Sequence, residues 1–213
     1  MNLKHSYWFF KKALPDSVCD DIVKYGNQQQ EQLALTGGHS LKAEKNEPLT
    51  DEDIKDLKKK RDSNIVWLND RWIYDEIQPY IHTANRNAEW NFEWDYSESC
   101  QFTKYKVNQY YGWHSDSWNK PYENKKDLNI DGKIRKLSVT VSLSNSDDYE
   151  GGELEFDFRN LDPNQKQVIV PCKEIMERGS IVVFPSHLWH RVQPVTKGIR
   201  YSLVLWNLGH PFK

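Results

Sequence analysis

Apolar and polar residues alternate through much of the second half of the chain. Leu137, Val139, Val141 and Leu143 fall on every second position, with Ser138, Thr140 and Ser142 between them. Successive side chains of a strand point to opposite faces, so this period of two predicts a half-buried β-strand. Leu154, Phe156 and Phe158 repeat the pattern, as do Trp90, Phe92 and Trp94; Phe102 and Tyr105 follow it less cleanly. The unbroken run Ile181–Phe184 predicts a strand covered on both sides, and Tyr201 to Trp206 predicts the last of the series. Many short strands punctuated by Gly and Pro point to a sandwich or barrel rather than a parallel sheet.

The first half reads differently. Asp16 or Ser17 is placed to cap a helix running through Asp20–Tyr25 into a Gln-rich turn. Residues 36–63 are poor in apolar side chains and read as a surface loop, although Thr50 and Asp53 have the spacing that opens a short helix. After Asn69, the residues Trp72, Ile73, Ile77, Tyr80 and Ile81 fall near helical spacing and predict a helix bracing the outside of a sheet. Tyr7–Phe10 reads as a strand or a packing edge.

Composition narrows the class. With 213 residues, one domain is expected over 1–213, with 1–98 as helix-bearing support and 99–208 as the strand-rich core. The net charge of −2 is spread over mixed signs, which leaves no basic stripe for a nucleic-acid backbone. No apolar run approaches membrane-spanning length, and Tyr7–Phe10 is too short for a signal-peptide core. Cys19, Cys100 and Cys172 are odd in number and lack metal-type spacing, which fits reduced thiols in a cytoplasmic protein.

The candidate chemistry begins at His114-Ser115-Asp116, with His190 following 74 residues after Asp116 and Arg200 ten after that. Two histidines and one carboxylate on one face of a metal leave its other positions open, as iron(II) needs to react with oxygen. On an extended segment His114 and Asp116 share a side, so the third ligand must come from another strand. His187, three residues before His190, is the rival; its odd offset turns it to the opposite face of a strand. His5, His39, His82 and His210 have no partner pattern. Arg200 can clamp a carboxylate, and Ser202 shares its face. Gly151-Gly152 suits a sharp turn or a close approach of strands.

The segments Gln101–Tyr105, Tyr110–Asp116, Gly151–Leu154, Gly179–Ser186, Trp189–Val195 and Gly198–Leu203 together resemble the prolyl-4-hydroxylase-type group of iron(II)- and 2-oxoglutarate-dependent dioxygenases, over about residues 99–208. The resemblance implies a mainly β fold, a double-stranded β-helix (jelly roll) with N-terminal flanking helices and its site in the open mouth. It implies Fe(II) on His114, Asp116 and His190. It also implies the co-substrate 2-oxoglutarate on Arg200, Ser202 and Tyr105, with Tyr111 as the alternative tyrosine and ascorbate as a reductant. The implied reaction hydroxylates an unactivated C–H bond while 2-oxoglutarate becomes succinate and carbon dioxide. Arg200 is taken to lie on a strand after a Thr196–Gly198 turn, antiparallel to the strand carrying His190. By ligand chemistry alone zinc would bind this set more tightly than iron.

A prolyl residue of a peptide or protein is the first expectation for the substrate. A small molecule is the alternative, and a non-catalytic jelly-roll binding module is the non-enzymatic one. Dioxygenases that demethylate nucleic acids typically carry a second arginine six residues after the first, and here that position is Trp206. Trp113 and Trp206 are candidate pocket-lining residues. The polar insertion 117–133, together with 36–63, is a candidate lid over a substrate groove, or else a tolerated surface insertion.

Overall fold

In a computed structural model, which describes residues 3–36, 42, 47–117, 120–159 and 164–212, the alternating segment 137–143 lies in the middle of the largest sheet. Numbered along the chain, its strand β8 (Ile134–Ser142) pairs with β12 (Ile181–Pro185) on one side and β15 (Arg200–Gly209) on the other. β1 (Trp8–Phe10) extends the sheet beyond β12. Beyond β15 come β6 (Cys100–Tyr105), β4 (Asn64–Leu68) and β2 (Gln32–Leu33), while β5 (Tyr96–Ser97) pairs with the far end of β15.

The second sheet runs β11 (Ile169–Pro171), β10 (Leu154–Asp157), β13 (Trp189–Val192), β7 (Tyr110–His114) and β3 (Arg61–Asp62). β9 (Tyr149–Gly151) and β14 (Val195–Gly198) form a separate ribbon. Every recorded pairing is antiparallel. The architecture is the double-stranded β-helix that the resemblance implies, within the sandwich-or-barrel class that the strand pattern predicts.

Three α-helices with described bounds support it. In α1 (Asp16–Gln28), Asp16 is the first helical residue and Pro15 takes the capping position, with no side-chain cap. The expected Asp16 or Ser17 cap is therefore corrected: Pro15 supplies a fixed φ of −60°, and Asp16 acts within the first turn, where a negative charge is favoured. α2 (Asp51–Lys60) opens with both hydrogen bonds of a Thr50–Asp53 capping box, so the helical reading of that segment holds. α3 (Arg71–Asn87) buries Ile73, Ile77, Ile81 and Ala84 against the large sheet, as its spacing predicts.

The pattern of two faces has a consequence that alternation alone does not reveal. Val139, Val141, Leu203, Leu205 and Phe102 face the helices and join the larger apolar core. The intervening Ser138, Thr140, Ser202, Gln101 and Thr103 do not face water; all are buried. Polar positions of the large sheet thus line the interior of the jelly roll. A smaller apolar cluster, with Phe156, Phe184, Leu154 and Val192, fills the rest of the space between the sheets.

Two expected elements differ. Trp90 and Phe92 are buried, but 90–94 forms no strand, because Glu89 and Asn91 adopt positive φ (58° and 50°). Asn85 holds that turn with both atoms of its amide, bonded to the backbone N–H and carbonyl of Phe92 at 2.9 Å. The expected 196–198 turn is instead part of β14, which leaves the His190 strand at Pro194 and pairs with β9. Cys19, Cys100 and Cys172 are buried and unbridged. No helix among the described residues is long and apolar enough to cross a membrane.

Gly179 fastens the N-terminal segment to the core. It has φ +74°, its carbonyl accepts from Leu14 N–H, and a Cβ there would lie 2.2 Å from the Leu14 carbonyl oxygen. Gly179→Ala is expected to destabilise the fold by about 2–3 kcal/mol, from strain at positive φ and backbone overlap. Thermal denaturation should show a midpoint roughly 5–10 °C lower.

Candidate active site

Two strands of the second sheet bring the histidines together. His114 stands directly opposite His190 in the β7–β13 pairing, with ring centroids 4.1 Å apart. His114 Nδ1 lies 2.8 Å from the Gly112 carbonyl oxygen, and His190 Nδ1 lies 2.9 Å from that of Leu188. A ring nitrogen beside a carbonyl carries the proton, so each Nε2 keeps its lone pair. Burial first, and the neighbouring His190 second, push the His114 pKa well below its ordinary value.

β7 ends at His114, and Asp116 follows in a bend whose N–H donates to the Ser186 carbonyl at 2.9 Å. The two residues therefore converge through that bend rather than through one extended strand. Asp116 Oδ1 is 3.6 Å from His114 Nε2, and Oδ2 is 3.5 Å from His190 Nε2. One ligand atom from each of the three residues lies within 4.8 Å of the others. Ser138 Oγ donates to Asp116 Oδ2 at 2.8 Å. Burial raises the Asp116 pKa, but the pull of His190, His114 and Arg135 outweighs it and leaves a value of about 2. Two imidazole nitrogens and a carboxylate are a fitting donor set for a divalent first-row metal. His187 lies in the turn before β13 and outside this group.

Arg200 approaches from the other sheet, not from a strand paired with that of His190. It begins β15 opposite Tyr105 of β6, with its guanidinium 5.6 Å from the Tyr105 ring. Arg200 is 3% exposed, and Nη1 donates to Ser202 Oγ at 3.3 Å. No carboxylate among the described residues pairs with it. Gly152, at φ +67°, makes room, since a Cβ there would lie 2.9 Å from Arg200 Cδ. Tyr111 has a different position: its ring stacks on His114 at 3.5 Å, and burial pushes its pKa up to about 12. Tyr105 is thus the tyrosine beside Arg200.

An inner pocket of about 30 Å³, lined by the three ligand residues, Tyr105, Arg200 and Ser202, opens into an outer cleft of about 850 Å³. Trp67, Tyr96, Trp113, Tyr122 and Trp206 form the aromatic walls of the cleft. Trp206 is 5% exposed, and its Nε1–H is directed at the Asp116 carboxylate, whose pKa it helps to lower, without reaching full hydrogen-bond geometry. Arg135 lies 3.9 Å over the Trp206 ring and is paired with Glu98, which also accepts from Tyr122 Oη. Within the 117–133 insertion, Tyr122 N–H bonds to the Lys133 carbonyl and Gly132 N–H to that of Tyr122, both at 2.9 Å. Of the two segments read as lids, residues 37–41 (His39 included), 43–46, Trp118 and Asn119 lie outside the described residues.

Sequence reading did not single out Arg61, Gln101, Ser138, Thr140 or Arg135. Ser138 and Thr140 carried a usable signal, as small polar positions alternating with the apolar residues of β8. Arg61 carried none, because it follows Lys58-Lys59-Lys60 and reads as part of a solvated basic run. Ser138→Ala removes the hydrogen bond that orients Asp116. It is expected to weaken divalent-metal binding about 10–100-fold, measured by chelator competition, while circular dichroism remains native.

The matches to known proteins follow this geometry. Residues 100–207 match the 2OG-Fe(II) oxygenase superfamily. A PKHD-type hydroxylase of Synechococcus sp. is 36% identical over 109 residues, covering 51% of this chain and 40% of that relative. The chain thus matches about two fifths of that relative's length. A Pseudomonas putida prolyl-4-hydroxylase shares the fold with TM-score 0.62 at 15% identity, covering 96% of this chain and 93% of that one. A Trichoplax adhaerens prolyl hydroxylase, solved with a hypoxia inducible factor peptide fragment, has TM-score 0.59 at 18% identity, covering 96% and 84%. With its three candidate ligands and buried arginine inside the matched segment, this chain belongs to the 2OG-Fe(II) oxygenase superfamily.

Proposed function

We propose that the protein is an Fe(II)- and 2-oxoglutarate-dependent hydroxylase acting on a prolyl residue of a peptide or protein. One observation carries the reading: His114, Asp116 and His190 converge at the floor of a cleft beside a buried arginine that has no carboxylate partner among the described residues. Fe(II) bound by the three residues would supply open positions for a keto acid and oxygen, the chemistry that oxidises an unactivated C–H bond. The protein's part is positional. The Gly112 and Leu188 carbonyls hold the imidazole planes, and Ser138 holds the carboxylate.

Arg200 and Ser202 receive the far carboxylate of 2-oxoglutarate, with Tyr105 at their side. A carboxylate there would replace the neutral Ser202 hydroxyl as the acceptor of the Arg200 guanidinium, and a charged acceptor makes the stronger bond.

The outer cleft supports a peptide substrate. Its aromatic walls offer flat apolar faces to a pyrrolidine ring beside the candidate metal residues. The neighbour solved with a peptide fragment supports the same class. Three buried, unbridged cysteines support action in a reducing, cytoplasmic setting, and the family resemblance extends the reading to ascorbate as reductant.

Anaerobic Fe(II)-loaded protein is expected to develop a weak visible charge-transfer band on titration with 2-oxoglutarate. His190→Ala should lose the band, and Arg200→Ala should weaken 2-oxoglutarate binding about 100-fold. Absence of the band with iron confirmed bound would end the dioxygenase reading. In air, a proline-containing peptide should raise succinate output and gain one oxygen atom by mass spectrometry. A matched peptide with alanine for proline should do neither, and equal response to both would remove the prolyl assignment.

A further inference from the structure

Arg61 is a second buried guanidinium at the same site, and it has no role in the chemistry above. It is 4% exposed, and no carboxylate among the described residues pairs with it. Its Nε donates to Ser63 Oγ at 2.9 Å and its Nη2 to Gln101 Oε1 at 2.6 Å, both neutral acceptors. Its flat face lies 4.4 Å from the centre of the Tyr111 ring, which in turn stacks on His114. The side chain borders both the inner pocket and the outer cleft. The backbone beneath it is fixed, because Arg61 pairs with Tyr111 in the β3–β7 ladder.

The balance of charge shows what is missing. Fe(II) and Arg200 together would be balanced by Asp116 and the 2-oxoglutarate dianion, while Arg135 is balanced by Glu98. Arg61 has no such carboxylate among the described residues. Removing a cation from water costs several kcal/mol unless an anion joins it, and a guanidinium suits a two-oxygen acceptor. Resting on the co-substrate reading above, we propose that Arg61 binds a carboxylate of the substrate. Tyr111 alone separates that seat from the ligand His114. The carboxylate therefore belongs to the residue immediately beside the one hydroxylated, and the preferred substrate is an acidic peptide rather than a neutral one.

The test uses propionate and propionamide, titrated anaerobically at constant ionic strength into protein loaded with Fe(II) and 2-oxoglutarate. Perturbation of the charge-transfer band and tryptophan fluorescence report binding. Wild type should prefer propionate about tenfold, Arg61→Lys should retain part of that preference, and Arg61→Gln should lose it with 2-oxoglutarate affinity unchanged. Equal binding of the two probes in wild type would overturn the proposal without any variant. So would an intact preference in a folded Arg61→Gln protein. A fall in 2-oxoglutarate affinity as large as the fall for propionate would assign Arg61 to the co-substrate instead.

A peptide pair differing only by Glu or Gln beside the proline separates this proposal from the reading beneath it. The Glu peptide should show a KM about tenfold lower, and Arg61→Gln should level the two. If neither peptide is hydroxylated while the propionate preference holds and disappears in Arg61→Gln, the prolyl assignment falls and the anion seat stands. If the band never forms, the co-substrate reading falls. Fluorescence titration of the metal-free protein then decides the anion seat: loss of propionate preference in Arg61→Gln sustains it, and no loss overturns it.

Discussion

The register between β7 and β13 is the constraint on which the site depends. It sets His114 opposite His190, and a slip of one residue would turn one imidazole to the far face of the sheet. Both rings are then locked by backbone carbonyls two residues earlier in the chain, so the strands that position the histidines also determine which nitrogen is free. The bend after β7, bonded to Ser186, carries Asp116 under both rings. The opposing sheet adds its own register, which sets Arg200 against Tyr105 across the interior.

That interior is unusual in what it buries. The large sheet turns its apolar side to the helices and its polar side inward, so stability and chemistry are assigned to opposite faces of the same strands. Buried polar groups must be bonded or they cost free energy, and most here are: Ser138 to Asp116 and Ser186, Gln101 to Arg61 and Thr103. Arg200 and Arg61, which have no carboxylate partner among the described residues, both border the inner pocket. Concentrated there, such groups mark where ligands complete the structure.

The insertion after the metal motif is fastened to this arrangement through a short chain of contacts. Tyr122 donates to Glu98, Glu98 holds Arg135, and Arg135 lies on Trp206. These contacts link the insertion to the Trp206 wall of the cleft. Trp67, 42% exposed, stands on the open side of the same wall at 6.2 Å from Trp206. The cleft is rigid at its floor, which is built on strands, and adjustable at its rim, which includes loop residues.

Much of this was legible from local pattern. Period two marked β8 and β10, the run Tyr201–Trp206 marked β15, helical spacing marked α3, and Thr50 with Asp53 marked the start of α2. The same logic failed at 90–94, where a positive-φ turn held by Asn85 buries Trp90 and Phe92 without a pleat. His114, Asp116, His190 and Arg200 could be named because motif spacing and family resemblance both pointed to them. Arg61 could not, because its burial depends on β3 reaching β7 from fifty residues away, and nothing in a basic run foretells that pairing. By itself the sequence determined which residues share the face of a strand or helix, since backbone periodicity is local. Only the tertiary structure decided which faces meet and which charges lose their water, because long-range pairing sets both.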